Sequence, residues 1–180
     1  MEKKSEAAVF GGGCFWCTEA VFKELRGVVS VASGYAGGNT EHPSYGEVSM
    51  GRTGHAEVIK IEFDPQEISY RDLLTVFFAT HDPTTENKQG ADVGTQYRSV
   101  IFTTTQEQKN EAEKYIAELV DSGVRVVTGA QPLTKFYEAE DEHKNYYEKN
   151  SSQPYCQIVI VPKLLKLQMK FRELLKSHSA

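Results

Sequence analysis

Residues 11–19, with the sequence GGGCFWCTE, are the stretch best suited to cysteine chemistry, because Cys14 directly follows three glycines. The apolar residues 7–10 predict a strand, the glycines predict a tight turn, and residues 15–25 predict an amphipathic helix. Cys14 is therefore expected at a helix N-terminus, where unpaired backbone N–H groups and the helix dipole lower the pKa of a thiol. We predict that Cys14 is a nucleophile rather than a small apolar residue in a turn.

Cys17 follows Cys14 with two residues between them, and it has three possible interpretations. A zinc half-site has this spacing, but the sequence has no second pair and its histidines are not at ligand spacing, so we predict no metal site. A thioredoxin-like redox pair is the stronger alternative. However, Cys17, Val21 and Leu25 are four residues apart on one line of the helix, which favours a buried, structural Cys17.

Glu57 is the most informative residue outside the cysteine stretch. Residues 55–63 alternate in polarity, as a half-buried strand does, and Glu57 shares a face with Ile59, Ile61 and Phe63. Burial disfavours the charged form of a carboxyl group and raises its pKa, so Glu57 could hold and donate a proton near neutral pH. The alternative is a position at a frayed strand end with the carboxyl group in water.

Composition limits the class of protein. The 180 residues carry a net charge of -5 without a basic patch, so we expect no nucleic-acid partner. The charged N-terminus leaves too few apolar residues for a signal sequence or a membrane span. Three cysteines in a chain of this length do not form the dense disulfide framework of a secreted domain, so they are expected to be reduced, which favours the cytoplasm.

The order of predicted elements indicates the fold. Strands at 7–10, 28–35, 55–63 and 99–102, with helices after the first and third, give the order β-α-β-β-α-β. This order favours an α+β fold, a two-layer α/β sandwich with a ferredoxin-like (split βαβ) core and a mixed sheet. The remaining predictions are a long loop at 82–96, a helix after Thr105, a short strand at 125–128, and a polar helix or turn at 140–148.

The chain is predicted to form one catalytic domain over residues 1–180. Its core is expected at about 6–161, and residues 162–180 are expected to form a C-terminal amphipathic helix, with leucines and Phe171 on one stripe and lysines opposite. This helix is expected to pack against the domain or a partner rather than a membrane.

Six motifs occur along the chain in the order GGGCFWCTEA, GYAGG, SYGEV, GHAEVIKIEFDP, HDPTT and DVGTQYRSVIF. In sequence and in order they resemble the motifs of peptide methionine sulfoxide reductases of the A class. The resemblance extends from about residue 7 to residue 161. It implies reduction of methionine S-sulfoxide, free or in oxidised peptides and proteins, with thioredoxin or another dithiol as electron donor and no metal, flavin or nucleotide.

The resemblance also implies roles for individual residues. Cys14 would attack the sulfoxide sulfur and Glu57 would protonate its oxygen, which is needed because an unprotonated sulfoxide is a poor electrophile. The remaining matched positions would hydrogen-bond around the oxygen or form an apolar pocket for the substrate methyl group. The first set is Tyr45, Asp92 and Tyr97, and the second is Phe15 and Trp16.

The attack would leave a sulfenic acid on Cys14, which condenses readily with a second thiol. Cys156 lies in a loop-like context and resembles the C-terminal resolving cysteine of some family members, so we favour it over Cys17 or an external thiol. Two other functions are retained as alternatives. One is a general thiol–disulfide oxidoreductase that uses Cys14 and Cys17, and the other is a non-enzymatic domain that binds methionine peptides through Phe15 and Trp16.

Overall fold

A six-stranded mixed sheet forms the centre of the computed structural model, which describes residues 4–177. Its strands lie in the order β7-β6-β1-β3-β2-β8, and a separate two-stranded sheet pairs β4 with β5. The strands are β1 (Glu6–Gly12), β2 (Val28–Ala36), β3 (Ala56–Phe63), β4 (Lys88–Gln89), β5 (Asp92–Val93), β6 (Ser99–Thr103), β7 (Gly129–Pro132) and β8 (Phe136–Glu138).

The four central strands confirm the predicted ferredoxin-like core. Neighbours in the series β6-β1-β3-β2 are all antiparallel, as in a split βαβ unit. Strand β7 extends the sheet in parallel to β6, and β8 extends it antiparallel to β2. Near Cys14, the end of β1 pairs with β6 at Gly12, and the start of β3 pairs with β2 at Ala56 and Glu57.

The helices lie against this sheet. They are α1 (Phe15–Lys23), α2 (Tyr45–Ser49), α3 (Tyr70–Thr80), α4 (Gln106–Asp121), α5 (Tyr146–Asn150) and α6 (Val161–Lys170). Short 3₁₀ turns occur at Thr95–Tyr97, Asp141–His143 and Arg172–Leu174.

Side-chain caps fix the starts of α3, the helix predicted after the third strand, and of α4, the helix predicted after Thr105. Ser69 accepts a hydrogen bond from the Asp72 backbone N–H at 3.0 Å, and the Asp72 carboxylate accepts one from the Ser69 N–H at 3.1 Å. Thr105 caps α4 by accepting from the Gln108 N–H at 3.1 Å. These bonds satisfy N–H groups that have no partner within the helix.

The alternation of β3 divides its side chains between two cores. Ile59 and Ile61 pack in the main core with the aromatic residues Phe10, Phe22 and Phe77 from β1, α1 and α3. The opposite face of the sheet carries a smaller apolar cluster, covered in part by the segment before β8. The face predicted for Glu57 is thus the face of the main core.

Three connections differ from the sequence-based expectation. Residues 125–128 are not a strand, because the Val127 N–H donates to the carbonyl of Pro83 and the strand begins only at Gly129. The loop at 82–96 contains the β4–β5 hairpin. Helix α2 was not predicted, because it spans 5 residues and depends on a capping box between Ser44 and Glu47 rather than on a hydrophobic period.

The C-terminal helix is shorter than predicted. A π-helical turn at Cys156–Ile160 continues into α6, which ends at Lys170 instead of running through 162–180. Leu167 is buried against the main core, as its stripe predicted, and Leu175 then forms an isolated β-bridge with Leu25. Residues 178–180 of the predicted helix lie outside the described residues. Among the helices within residues 4–177, not one has the length and apolar character that crossing a membrane requires.

The capping box of α3 is testable by substitution. Ser69→Ala should lower the free energy of unfolding by about 1 kcal/mol, because it removes the acceptor for one N–H of the first turn. Urea denaturation measures the change. Ser152→Ala, in an exposed turn, is the matched control and should change stability by less than about 0.5 kcal/mol. Equal stability of the two variants would show that the cap contributes nothing.

Candidate active site

The turn between β1 and α1 places Cys14 at the end of a central strand. Gly13 has a φ of 94°, a left-handed conformation in which a Cβ atom would also lie 2.6 Å from the side chain of Gln89. Cys14 is the N-cap residue of α1, its carbonyl accepts from the Cys17 N–H at 3.1 Å, and its side chain is 8% exposed. The predicted position at a helix N-terminus is confirmed.

The predicted lowering of the Cys14 pKa is wrong. Burial raises the pKa of the Cys14 thiol well above its usual value, and a hydrogen bond to Cys17 and the nearby charge of Glu57 add to this effect. The backbone N–H of Trp16 acts in the opposite direction but does not outweigh burial. Desolvation of a thiolate therefore exceeds the effect of the helix terminus at this site.

Cys17 carries the more easily ionised thiol of the pair. Its hydrogen bond from Cys14 lowers the pKa of Cys17 to about 7 against the effect of burial, with help from the charge of Lys163. Its side chain is 2% exposed, as its helical position predicts. The Tyr155 hydroxyl lies 3.6 Å from Cys17 Sγ and donates to Asp92 Oδ2 at 2.9 Å.

Glu57 is buried in the position that strand parity predicts. Its side chain is 2% exposed, and its Oε1 accepts a hydrogen bond from the Phe15 backbone N–H at 3.1 Å. Burial raises the pKa of Glu57 to about 8 although the Phe15 N–H favours the carboxylate. The carboxyl group therefore stays largely protonated at neutral pH and is held beside the residue that follows Cys14.

Tyr45 and Tyr97 lie near the same two groups. Burial, followed by the charges of Glu57 and Cys14, raises the pKa of Tyr45 to about 12. The same causes in the same order raise the pKa of Tyr97. Both hydroxyls therefore keep their protons at neutral pH and can donate hydrogen bonds. The structure thus brings together Cys14, Glu57, Tyr45 and Tyr97 from four separate segments.

Asp92 reaches the site through Tyr155. Its carboxylate accepts the Tyr155 hydroxyl, and a cavity of about 120 Å³ is lined by Asp92, Tyr155, Cys14, Cys17 and other residues. Tyr155 was not among the predicted site residues. It lies beyond the polar helix or turn predicted at 140–148, in the residues before Cys156 that were predicted to be loop-like.

An aromatic wall beside Cys14 consists of Phe15, Trp16, Tyr45 and Tyr146. Its two predicted members, Phe15 and Trp16, differ in accessibility. Phe15 is completely buried, with its ring centroid 6.4 Å from that of Tyr45, whereas Trp16 is partly exposed. Tyr146 stacks on Trp16 with ring centroids 3.6 Å apart, and His143 is 4.1 Å from Tyr45 by the same measure. Phe15 therefore supports the wall from inside, and its surface is formed by Trp16, Tyr45 and Tyr146.

Cys156 does not lie in a mobile loop, contrary to the expectation from its sequence context. It begins the π-helical turn, is completely buried, and packs in one cluster with Cys14 and Cys17. The helical stretch begins at Pro154, where the ring costs no intrahelical hydrogen bond. Burial and then the charge of Cys17 raise the pKa of Cys156.

Glu140, Glu142 and His143 form a group that could hold a cation, since one ligand atom from each lies within 4.8 Å of the others. Other contacts already occupy Glu140, because its carboxylate accepts from the Tyr35 hydroxyl at 3.0 Å and from the Tyr45 backbone N–H at 2.9 Å. The main effect of Glu140 in this structure is to fasten Tyr45 to the 3₁₀ turn.

A thiol, a protonated carboxyl group and two tyrosine hydroxyls therefore meet beside an aromatic wall. Such a set can attack an electrophilic atom and protonate a neighbouring oxygen in the same event. The wall offers a surface for a small apolar group on the substrate.

Comparison with known proteins gives a consistent result. The family model "Peptide methionine sulfoxide reductase" matches residues 6–175. A relative from Acinetobacter baumannii (strain AYE), peptide methionine sulfoxide reductase MsrA, is 59% identical over 172 residues, which is 96% of this chain and 99% of that protein.

Two solved structures of Mxr1 from Saccharomyces cerevisiae are also similar. The reduced form has a TM-score of 0.79 and 34% sequence identity, covering 87% of this chain and 91% of Mxr1. The complex of Mxr1 with Trx2 has a TM-score of 0.56 and 25% identity, covering 81% of this chain and 87% of Mxr1.

The raised pKa of Glu57 makes stability depend on pH. The ordinary pKa is 4.5 and the folded value is about 8, so between these values the folded state holds a proton that the unfolded state has lost. The contribution of Glu57 is therefore full below pH 4.5 and is lost as the pH rises towards 8, by an amount on the order of a few kcal/mol. Urea denaturation of the parent and Glu57→Gln across this range measures it. The difference should grow in favour of Glu57→Gln with rising pH, and a constant difference would contradict a buried, protonated Glu57.

Proposed function

Because this chain belongs to the peptide methionine sulfoxide reductase family, we propose that it reduces the S epimer of methionine sulfoxide, free or in oxidised peptides and proteins. The observation that carries the proposal is the hydrogen bond from the Phe15 N–H to Glu57, which holds a protonated carboxyl group next to Cys14. Two electrons from thiols convert the sulfoxide to methionine and water.

The first step is attack of Cys14 on the sulfoxide sulfur. Cys14 and Cys17 share a hydrogen bond. Loss of one proton from the pair, with the remaining proton on Cys17, yields the Cys14 thiolate that attacks the substrate. Glu57 gives its proton to the sulfoxide oxygen, and the hydroxyls of Tyr45 and Tyr97 donate hydrogen bonds to the same oxygen. The oxygen leaves the substrate with Cys14, which gives methionine and a Cys14 sulfenic acid.

The aromatic wall orients the substrate for this attack. Trp16 presents the partly exposed face of the wall to the substrate methyl group, and the buried ring of Phe15 fixes its position. Asp92 accepts a hydrogen bond from the hydroxyl of Tyr155, which lies 3.6 Å from Cys17 Sγ. A sulfoxide with its methyl group against the wall directs its oxygen towards Glu57.

The second step is resolution by Cys156. Its thiol displaces water from the Cys14 sulfenic acid and forms a disulfide. Support comes from the packing of Cys156 in one buried cluster with Cys14 and Cys17. Because Cys156 is completely buried, the π-helical turn must open before a second protein can reach the disulfide.

Thioredoxin is the proposed reductant of this disulfide. The support is the structural similarity to Mxr1, whose complex with Trx2 has been solved. The electrons then come from a dithiol, and the proposed chemistry uses no metal, flavin or nucleotide. A thiol cycle of this kind suits the cytoplasm, where cysteines are kept reduced.

The Cys14–Cys17 pair also has the spacing of a general disulfide oxidoreductase, and the pKa of Cys17 is lowered although that of Cys14 is raised. Glu57 separates the two functions, because disulfide exchange needs no acid to protonate an oxygen. Activity with a small disulfide that survives Glu57→Gln would be the sign of the second function.

Separated epimers of methionine sulfoxide, with a chemical dithiol as reductant, test the proposed reaction. The parent should reduce the S epimer, Cys14→Ser should reduce neither epimer, and Glu57→Gln should lose about 10²- to 10⁴-fold in kcat because it cannot protonate the oxygen. Methionine release measures each rate. Absence of turnover of both epimers by the parent, or full activity of Glu57→Gln, would refute the mechanism.

Cysteine variants test the resolving step. With thioredoxin, Cys156→Ser should release about one equivalent of methionine per enzyme and then stop, since the sulfenic acid has lost its partner thiol. Cys17→Ser is the matched control and should continue beyond this first turnover, although more slowly. Because the readout is the number of methionine molecules released per enzyme, the comparison does not depend on how fast each variant reacts. Continued turnover by Cys156→Ser, with arrest of Cys17→Ser, would assign resolution to Cys17.

A further inference from the structure

His143 is a buried histidine that the catalytic steps above do not use. It lies in the 3₁₀ turn Asp141–His143, and its side chain is 6% exposed although its neighbours in the turn are charged. Its ring contacts the aromatic wall on three sides, with centroids 4.1 Å from Tyr45, 5.6 Å from Phe15 and 5.8 Å from Trp16. This set of contacts places His143 directly behind the proposed methyl pocket.

One hydrogen bond fixes the tautomer of His143. The Trp16 indole Nε1 donates to His143 Nδ1 at 3.1 Å. An indole N–H can only donate, so Nδ1 must carry a lone pair and the neutral ring carries its proton on Nε2. His143 Nε2 lies 3.6 Å from the Glu142 carboxylate, beyond ordinary hydrogen-bond distance.

The hydrogen bond between Trp16 and His143 restricts rotation of the indole within its own plane, which stacking alone does not restrict. Tyr146 lies flat against the indole of Trp16, with an interplanar angle of 5°, and such a stacked pair can slide or rotate within its plane. The Nε1–Nδ1 bond is directional and fixes the rotation of the indole within its plane. We propose that His143 is a positioning residue for the substrate pocket, because it accepts the indole N–H of Trp16 and so sets the surface that receives the substrate methyl group.

The role of His143 rests on the proposed function in one respect, because methionine sulfoxide is taken as the ligand of the pocket. The indole touches the substrate equally before and during attack, so its displacement weakens binding without slowing the chemical step. A loss of His143 should therefore appear in KM and leave kcat nearly unchanged. A residue that only supported the fold would lower stability and active fraction instead.

Two substitutions separate these cases. His143→Asn keeps an acceptor oxygen near the place of Nδ1, whereas His143→Leu removes it and leaves the indole N–H without an acceptor. With the S epimer and a chemical dithiol, His143→Leu should raise KM by about 2- to 10-fold, the value of one hydrogen bond, and His143→Asn should restore most of the loss. Equal KM values for the parent and His143→Leu, or an equal loss in both variants, would overturn the proposal.

Fluorescence tests the contact without turnover, because Trp16 is the sole tryptophan of the chain. His143 faces Glu140 and Glu142 from its own turn, Tyr45 from α2, and the non-titrating rings of Phe15 and Trp16 from α1. Burial lowers the pKa of His143 from 6.5 against the charges of these two glutamates. Protonation of Nδ1 removes the lone pair that accepts the indole N–H and so breaks this hydrogen bond. Trp16 emission should therefore change with one protonation at a pH below 6.5.

Two variants complete the fluorescence test. His143→Asn should abolish the transition, and Glu142→Gln should keep it but move it to lower pH, because one charge that raises the pKa of His143 is removed. Emission from the parent that does not depend on pH, or the same transition in His143→Asn, would refute the contact even if the protein reduces sulfoxides. A protein that passes this test without turning over sulfoxide would instead contradict the proposed function alone.

Discussion

The arrangement of this site depends on the hydrogen bond between the Phe15 N–H and the Glu57 carboxyl group. A carboxyl group keeps its proton at neutral pH only if it is taken out of water, and that burial must be partly offset by a polar partner. The first turn of α1 supplies such a partner from an N–H that has none within the helix. This hydrogen bond therefore joins β3 to α1 beside the end of β1, where Cys14 lies.

Patterns that act over a few residues predicted much of this structure. Strand parity placed Glu57 on the core face, and side-chain caps located the starts of α3 and α4. The charge state of Cys14 could not be predicted in this way, because the helix terminus is local whereas the burial that raises its pKa comes from distant segments. Cys156 was misplaced for a related reason, since a short apolar run after a proline fits a loop, a strand or a helix.

The aromatic wall shows the limit of local patterns most clearly. Trp16 and His143 are 127 positions apart, and no periodicity in either segment indicates that an indole donor meets an imidazole acceptor. Glu140 adds a second link to the same turn by holding the backbone of Tyr45. The polar segment around the turn thus has a structural reason to be rich in titratable residues, since each of these hydrogen bonds aligns a ring near Cys14.

The π-helical turn at Cys156–Ile160 has a geometric consequence for the thiols. A π turn contains one residue more than the α-helical turn that it replaces. A shift of register by one residue rotates a side chain by about 100° around the helix axis. The extra residue thus sets which side of the helix Cys156 occupies, and in this register its side chain lies in the buried cluster with Cys14 and Cys17.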